Sequence, residues 1–153
     1  MDDLKEILKT AIANGPAIGE SIKSSFNKFA IDKDANFIII QLDTDNEIRC
    51  FFSGEEGTAQ PDDENKLEYI KAFLPGIDML LMMQDMGEAD TGEFFDMMQN
   101  ILKESFVKSQ FHTIAYARHK KQFYSTTGEE WEEIKIENFI DLNSFIEVIE
   151  KTI

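Results

Sequence analysis

Hydrophobic side chains recur at helical spacing near the start of the chain. The first stripe, which follows two aspartates, consists of Leu4, Ile7, Leu8, Ala11 and Ile12. The second stripe, which follows Pro16, consists of Ile18, Ile22, Phe26 and Phe29. Spacings of three and four residues place each set on one side of a helix, and the Asn14-Gly15-Pro16 segment separates the two. The pattern therefore predicts two consecutive amphipathic helices.

The next segment has the pattern of a β-hairpin. Residues 37–52, FIIIQLDTDNEIRCFF, contain two runs of β-branched and aromatic residues that Asp and Asn residues separate. Such runs favour strands, and the residues between them are those that turns prefer. The first run is so apolar that we expect its strand to be buried on both faces. Residues 53–64 are rich in Gly, Pro and acidic residues, which predicts a solvated loop.

Three further helices are predicted in the middle of the chain. The apolar face of the first consists of Leu67, Ile70 and Leu74. Pro75 ends this helix because proline has no amide proton to donate. The second helix covers residues 77–86, and the third is capped by Asp90 or Thr91 after a short acidic turn, GEADTG. The apolar face of the third consists of Phe94, Phe95, Met98, Ile101, Leu102, Ser105 and Phe106.

The last part of the chain returns to strands and ends in a helix. Residues 110–139 have the pattern of two or three short strands, with turns near 118–121 and 126–130. A final helical stripe consists of Leu142, Phe145, Ile146, Ile149 and Ile153. We therefore predict one acidic α+β domain over residues 1–153, in the order α-α-β-β-α-α-α-β-β-(β)-α. In this fold a small antiparallel sheet packs against helices.

The net charge of −15 narrows the classes of partner. It arises from 30 Asp and Glu residues against 15 Lys and Arg residues. A surface of this sign repels phosphate backbones and anionic lipids, and it attracts basic protein surfaces. We therefore expect no direct binding of nucleic acid and no membrane association. The single Cys and the absence of a basic, apolar leader at the N-terminus favour a cytoplasmic protein.

Residues 77–100, IDMLLMMQDMGEADTGEFFDMMQN, hold six of the seven methionines and no Lys or Arg. On a helical wheel, Met79, Met82, Met83 and Met86 lie opposite a second apolar stripe. A short helix that is apolar on two sides requires cover on both, which favours a partner-binding surface. The alternative is that these methionines fill a core, and core filling is our interpretation of Met97 and Met98. The segment lacks the Cys or His that a Cu(I) site recruits, so we predict no copper.

Other residues with catalytic or metal-binding chemistry have structural interpretations. Asp43-Thr44-Asp45 lies where the hairpin needs a turn, and Cys50 has the setting of a small buried thiol. No sequence spacing places His112 or His119 next to Cys50, and these three residues do not have the spacing of zinc ligands. The basic run 118–121 is interpreted as a charged hairpin tip. Nucleotide-binding and hydrolase motifs are absent from the sequence. We therefore predict no catalytic residue, no metal and no cofactor.

These observations favour a non-catalytic protein-binding domain, whose partner is another protein with a basic surface. Toxin-neutralising immunity proteins and secretion chaperones work by this physical means, in which carboxylates speed encounter and apolar anchors slow release. The predicted partner-binding residues are Asp78, Met79, Met82, Met83, Asp85, Met86, Glu88, Asp90, Glu93, Asp96 and Trp131. Trp131 enters as an aromatic anchor within the glutamate-rich sequence GEEWEEI. Two alternatives remain open: a nucleic-acid-mimicking inhibitor of a DNA-binding enzyme, and an enzyme without short motifs.

Overall fold

Six antiparallel strands form one sheet in the computed structural model of the chain, which describes residues 6, 10, 15–54, 58–73, 88–140, 144, 147 and 148. The strands are β1 (Phe37–Leu42), β2 (Ile48–Ser53), β3 (Ala59–Pro61), β4 (Thr113–Ala117), β5 (Gln122–Thr126) and β6 (Trp131–Ile134). The helices with described bounds are α1 (Gly15–Asp32), α2 (Lys66–Ala72), α3 (Glu88–Ser109) and α4 (Ile136–Phe139). The strand order β3-β2-β1-β4-β5-β6 confirms the predicted α+β class with an antiparallel sheet.

Alternation along the strands gives the sheet two unlike faces. In the register of β1 with β2 and β4, Ile40 lies between Cys50 and Ile114, and this row faces the helices. The adjacent residue Ile39 lies in a row with Phe51 and Ala115 on the opposite face. The predicted burial of β1 on both faces is therefore wrong. Its residues alternate between buried and half-buried because the described helices cover one face of the sheet.

The core lies between the sheet and the helices. Phe26 of α1 makes edge-to-face contacts with Phe73 and Phe123, at ring-centroid distances of 4.9 and 5.0 Å. The predicted α1 stripe is confirmed, since Ile18, Ile22 and Phe26 are buried and Phe29 packs against the core. Every residue of the predicted α3 face is buried: Phe94, Phe95, Met98, Ile101, Leu102, Ser105 and Phe106.

A buried carboxylate joins the end of α1 to the start of α2. Asp62 accepts hydrogen bonds from Tyr69 at 2.7 Å and from Asn65 at 2.8 Å, and it pairs with Lys33 at 2.6 Å. Burial raises the pKa of Asp62, but the hydrogen bonds from Lys33, Tyr69 and Asn65 together hold it below its ordinary value. Lys33 also lies 4.9 Å from the centroid of the Phe52 ring, so this cation is held by both charge and aromatic contact.

Several local predictions are wrong in detail. Residues 88–92, predicted as a turn, belong to α3, so Asp90 and Thr91 do not cap it. The predicted loop 53–64 contains β3, where Pro61 occupies an edge strand that tolerates a missing donor. The last strand-like residues form α4 instead.

The face predicted for α2 is partly wrong, because Leu67 is 49% exposed whereas Tyr69 and Phe73 are buried. The prediction missed the aromatic residues that pack beside Ile70. The first helix, the helix over residues 77–86 and most of the last helix lie outside the described residues. Two or three strands were predicted near the C-terminus, and the structure has three there, β4, β5 and β6.

Candidate partner-binding surface

The structure describes some of the predicted partner-binding residues and not others. Six of them lie outside the described residues: Asp78, Met79, Met82, Met83, Asp85 and Met86. Glu88 and Asp90 lie in the first turns of α3. Glu93 and Asp96 are exposed on α3, and Trp131 begins the edge strand β6. Among the described residues, Trp131 therefore lies on a different element from the acidic residues of α3.

Trp131 is 54% exposed, an unusual position for the only tryptophan of the chain. It follows a turn in which Gly128 adopts a φ of +116° and donates its amide proton to Thr126 Oγ1 at 2.9 Å. A residue with a Cβ is strained at this φ, so glycine is required for the turn that places Trp131 at the edge of the sheet. We define the Trp131 surface as Trp131 with its four exposed neighbours, Glu129, Glu130, Glu132 and Glu133.

An acidic cavity of about 160 Å³ lies beside this strand. Its lining residues are Phe111, Ser125, Thr126, Thr127, Glu129, Glu130 and Glu132. None of these three glutamates forms an ion pair with another described residue. Glu133 differs, because its Oε1 accepts a hydrogen bond from Gln122 Nε2 at 2.7 Å. The cavity therefore combines unpaired carboxylates with an aromatic wall, a setting that suits the cationic end of a Lys or Arg side chain.

A larger concave region lies on the sheet face that no described helix covers, hereafter the open face. We call it the sheet groove, and its volume is about 560 Å³. Its lining residues are Phe37, Ile39, Ser53, Ala115, Ala117, His119, Lys120, Tyr124 and Trp131. The small side chains of Ala115 and Ala117 lie between the larger side chains of β1 and β5, which makes the face concave. Sequence reasoning missed this groove, although small residues at alternate positions of TIAYA were a signal for it.

The residues considered for catalysis, Cys50, His112 and His119, have structural positions in the fold. Cys50 is buried on the helix-covered face of β2, and burial raises the pKa of its thiol to about 12. His119 lines the sheet groove on the opposite face, so these two residues do not form a dyad. His112 Nδ1 lies 2.8 Å from Thr113 Oγ1, just before β4.

Asp43 holds the predicted β1–β2 turn. Its Oδ1 accepts the amide protons of Asp45 at 2.9 Å and of Glu47 at 3.0 Å. The hydrogen bond from Glu47 is the main cause that lowers the pKa of Asp43. Over the part of the chain that the structure describes, no three His, Cys, Asp or Glu side chains lie in an arrangement able to hold a metal ion.

The fold and the surface together define an α+β chain with one sheet face that the described helices cover, one face that they leave uncovered, and an acidic edge strand. Comparison with protein families, with curated proteins and with solved structures finds no match to this chain. Within the described ranges, no helix combines the length and the apolar composition that crossing a bilayer requires.

Proposed function

We propose that the chain is a non-catalytic protein-binding domain whose acidic and aromatic surface covers a basic and apolar patch on a partner protein. The observation that carries the proposal is the Trp131 surface, where a half-exposed tryptophan lies among glutamates on an edge strand. The physical analogy is to toxin-neutralising immunity proteins and secretion chaperones. The proposal includes a cytoplasmic location, which rests on the sequence having a single cysteine.

Trp131 supplies the apolar part of the binding energy. Covering its exposed half removes on the order of 100 Å² of mostly apolar surface from water, which contributes roughly 2.5 kcal/mol. Tryptophan is also the residue type most often found at the energetic centre of protein interfaces, because it loses little side-chain entropy on binding. One such anchor is a substantial part of a micromolar interaction, which corresponds to about 8 kcal/mol.

The carboxylates supply attraction and selectivity. The net charge of −15 accelerates encounter with a cationic partner, and screening by salt reduces this acceleration. The acidic cavity beside β6 is about 160 Å³ in volume, and a Lys or Arg side chain of the partner would occupy it. A partner with an acidic residue at this point would be rejected by like charge.

The methionine-rich segment would form a second contact region for the partner. Met79, Met82, Met83 and Met86 would supply adaptable apolar contacts. Two carboxylates of this segment and four in the first part of α3 would attract the partner: Asp78, Asp85, Glu88, Asp90, Glu93 and Asp96. The exposed positions of Glu93 and Asp96 are compatible with this role.

Affinity capture from the native cell followed by reconstitution tests the proposal. The Trp131→Ala and Glu132→Lys variants are compared with wild type, and Leu67→Ala and Glu104→Lys serve as matched controls on other exposed positions. We expect each test variant to weaken the affinity for the captured partner about tenfold or more, and each control to leave it unchanged. Equal affinity of wild type and both test variants would exclude the Trp131 surface.

The salt dependence of binding distinguishes an apolar anchor at Trp131 from a nucleic-acid mimic, which would bind through charge alone. Binding through Trp131 should persist at about 0.5 M salt with a slower association rate. A nucleic-acid mimic would lose its affinity steeply over the same range, because every contact is between charges. Met82→Asp and Met83→Asp extend the experiment to the methionine segment. If they remove binding without lowering the stability of the free protein, these methionines contact the partner.

A further inference from the structure

The sheet groove ends at a histidine and a lysine, in a protein of net charge −15. His119 and Lys120 lie in the turn between β4 and β5, and both line the groove. The Lys120 ammonium lies 5.8 Å from the centroid of the Tyr124 ring. The His119 ring lies 6.1 Å from the Phe37 ring, in an edge-to-face arrangement. Aromatic side chains of the groove therefore contact both the Lys120 ammonium and the His119 ring.

The turn that carries these residues is well anchored. The Arg118 amide donates a hydrogen bond to the carbonyl of Asn36 at 2.9 Å, which ties the turn to the chain segment before β1. Lys121 closes the turn at a φ of +50°. The positions of His119 and Lys120 at one end of the groove are thus set by backbone contacts as well as by the aromatic rings.

The two side chains also lack anionic partners. Neither His119 nor Lys120 forms an ion pair with a described residue, although the chain has 30 acidic residues. Glu133 projects from the same face and lies opposite Tyr124, but its carboxylate accepts the hydrogen bond from Gln122. The Lys120 ammonium at the end of the groove therefore forms no ion pair with a described carboxylate.

The remainder of the groove is apolar. Phe37, Ile39 and Tyr124 form its walls, Ala115 and Ala117 form its floor, and Trp131 closes it at the edge strand. A volume of about 560 Å³ falls within the range of about 300–1,000 Å³ that small-molecule sites occupy. Such sites combine an apolar lining with a few polar groups that orient the ligand, as this groove does.

We infer that the sheet groove binds a small monocarboxylate with an aliphatic or aromatic body. The body would lie between Phe37, Ile39 and Tyr124, and the carboxylate would lie at Lys120 and His119. The Lys120 ammonium selects the carboxylate by charge complementarity, because it forms no ion pair with a described residue. The ligand is a free molecule and not a membrane lipid, since a net charge of −15 opposes approach to an anionic bilayer. This inference goes beyond the proposed protein-binding function and uses the opposite end of the groove from the Trp131 surface.

Titration with decanoate, below its micelle-forming concentration, tests the inference. Trp131 is the only tryptophan and lines the groove, so its fluorescence reports occupancy, and calorimetry gives an independent stoichiometry. We expect saturable binding of one decanoate per chain. Decanol and decyltrimethylammonium, which share the alkyl body, should bind about tenfold more weakly or worse. Equal binding of all three compounds would overturn the inference.

Charge variants locate the carboxylate. Lys120→Glu should weaken decanoate binding about tenfold or more, and Lys120→Met should weaken it less. Lys28→Glu, which makes the same charge change at an exposed position of α1, is the matched control and should leave binding unchanged. An unchanged affinity in Lys120→Glu, or binding only to decanoate micelles or to anionic vesicles, would refute the site.

The two proposals are separable by their variants. Lys120→Glu should remove decanoate binding and leave partner affinity intact, whereas Glu132→Lys should weaken the partner and leave decanoate binding intact. Loss of decanoate binding in both variants would show that binding does not depend specifically on the charge of Lys120, which contradicts the inference. Trp131→Ala is excluded from this comparison because Trp131 belongs to both surfaces.

Discussion

The two faces of the sheet share the same strands but differ in what covers them. The helix-covered face packs Ile40, Cys50 and Ile114 beneath the aromatic side chains of α1 and α2. The open face has an equally apolar row, Ile39, Phe51 and Ala115, which no described helix covers. Apolar composition alone thus does not distinguish a core from a binding surface, and the distinction depends on where the helices pack.

The largest expected effect lies at the centre of the helix-covered face. Phe26→Ala removes a buried ring that contacts Phe73, Phe123 and Tyr116. We expect the free energy of unfolding to fall by about 3–5 kcal/mol, because both transfer energy and packing are lost. Urea denaturation followed by circular dichroism measures it. A loss below about 1 kcal/mol would show that this face is not the core.

Neighbouring residues of β1 give the direct comparison between faces. Ile40 is 1% exposed, whereas Ile39 is half-buried on the open face. Ile40→Ala should lower the free energy of unfolding by about 3 kcal/mol, and Ile39→Ala by about 1 kcal/mol or less. Both variants remove the same atoms from the same strand, so each is the control of the other. Equal losses would mean that both faces are covered in solution.

The buried Asp62–Lys33 pair at the end of α1 should make the free energy of unfolding depend on pH in the acid range. Asp62→Asn leaves the Lys33 ammonium without its carboxylate and should lower the free energy of unfolding by about 2 kcal/mol near neutral pH. Because the pKa of Asp62 is lowered in the folded state, its contribution is complete above the ordinary value of 3.8 and is lost as pH falls through the folded value. The difference between wild type and variant should therefore shrink only in this acid range, as denaturation at a series of pH values would show. A difference that is constant down to acid unfolding would contradict this assignment.

The smallest expected effect on stability is at the Trp131 surface. Trp131→Ala should change the free energy of unfolding by less than about 1 kcal/mol, since the side chain is half exposed on an edge strand. The same variant should weaken the partner affinity, so its stability and its binding would change by very different amounts. A large loss of stability would instead show that Trp131 is part of the framework.

The sequence predicted the helix-covered face well. Apolar periodicity is a local property, and it identified α1, the buried face of α3 and the strands β1, β2, β4, β5 and β6. Prediction from apolar periodicity was less accurate at the ends of helices and strands and in acidic segments. Residues 88–92 and 59–61 have composition typical of loops, yet packing and sheet pairing give them regular structure.

The candidate surface was predicted only in part. Trp131 was identified as a candidate anchor from its glutamate-rich surroundings, and the structure places it half exposed on β6. The sheet groove was missed because its residues come from β1, β2, β4, β5, β6 and one turn, which are far apart in the chain. Ala115 and Ala117 form part of a groove only because larger side chains lie beside them in the sheet.

The sequence by itself determined which side chains are apolar, how they repeat, and the strong negative charge of the whole chain. These are properties of single residues and of their near neighbours. The tertiary structure alone decided which apolar face the helices cover, and it placed His119 and Lys120 at the end of the other face. Covering a sheet face depends on the direction in which distant helices pack, and no local pattern encodes that direction.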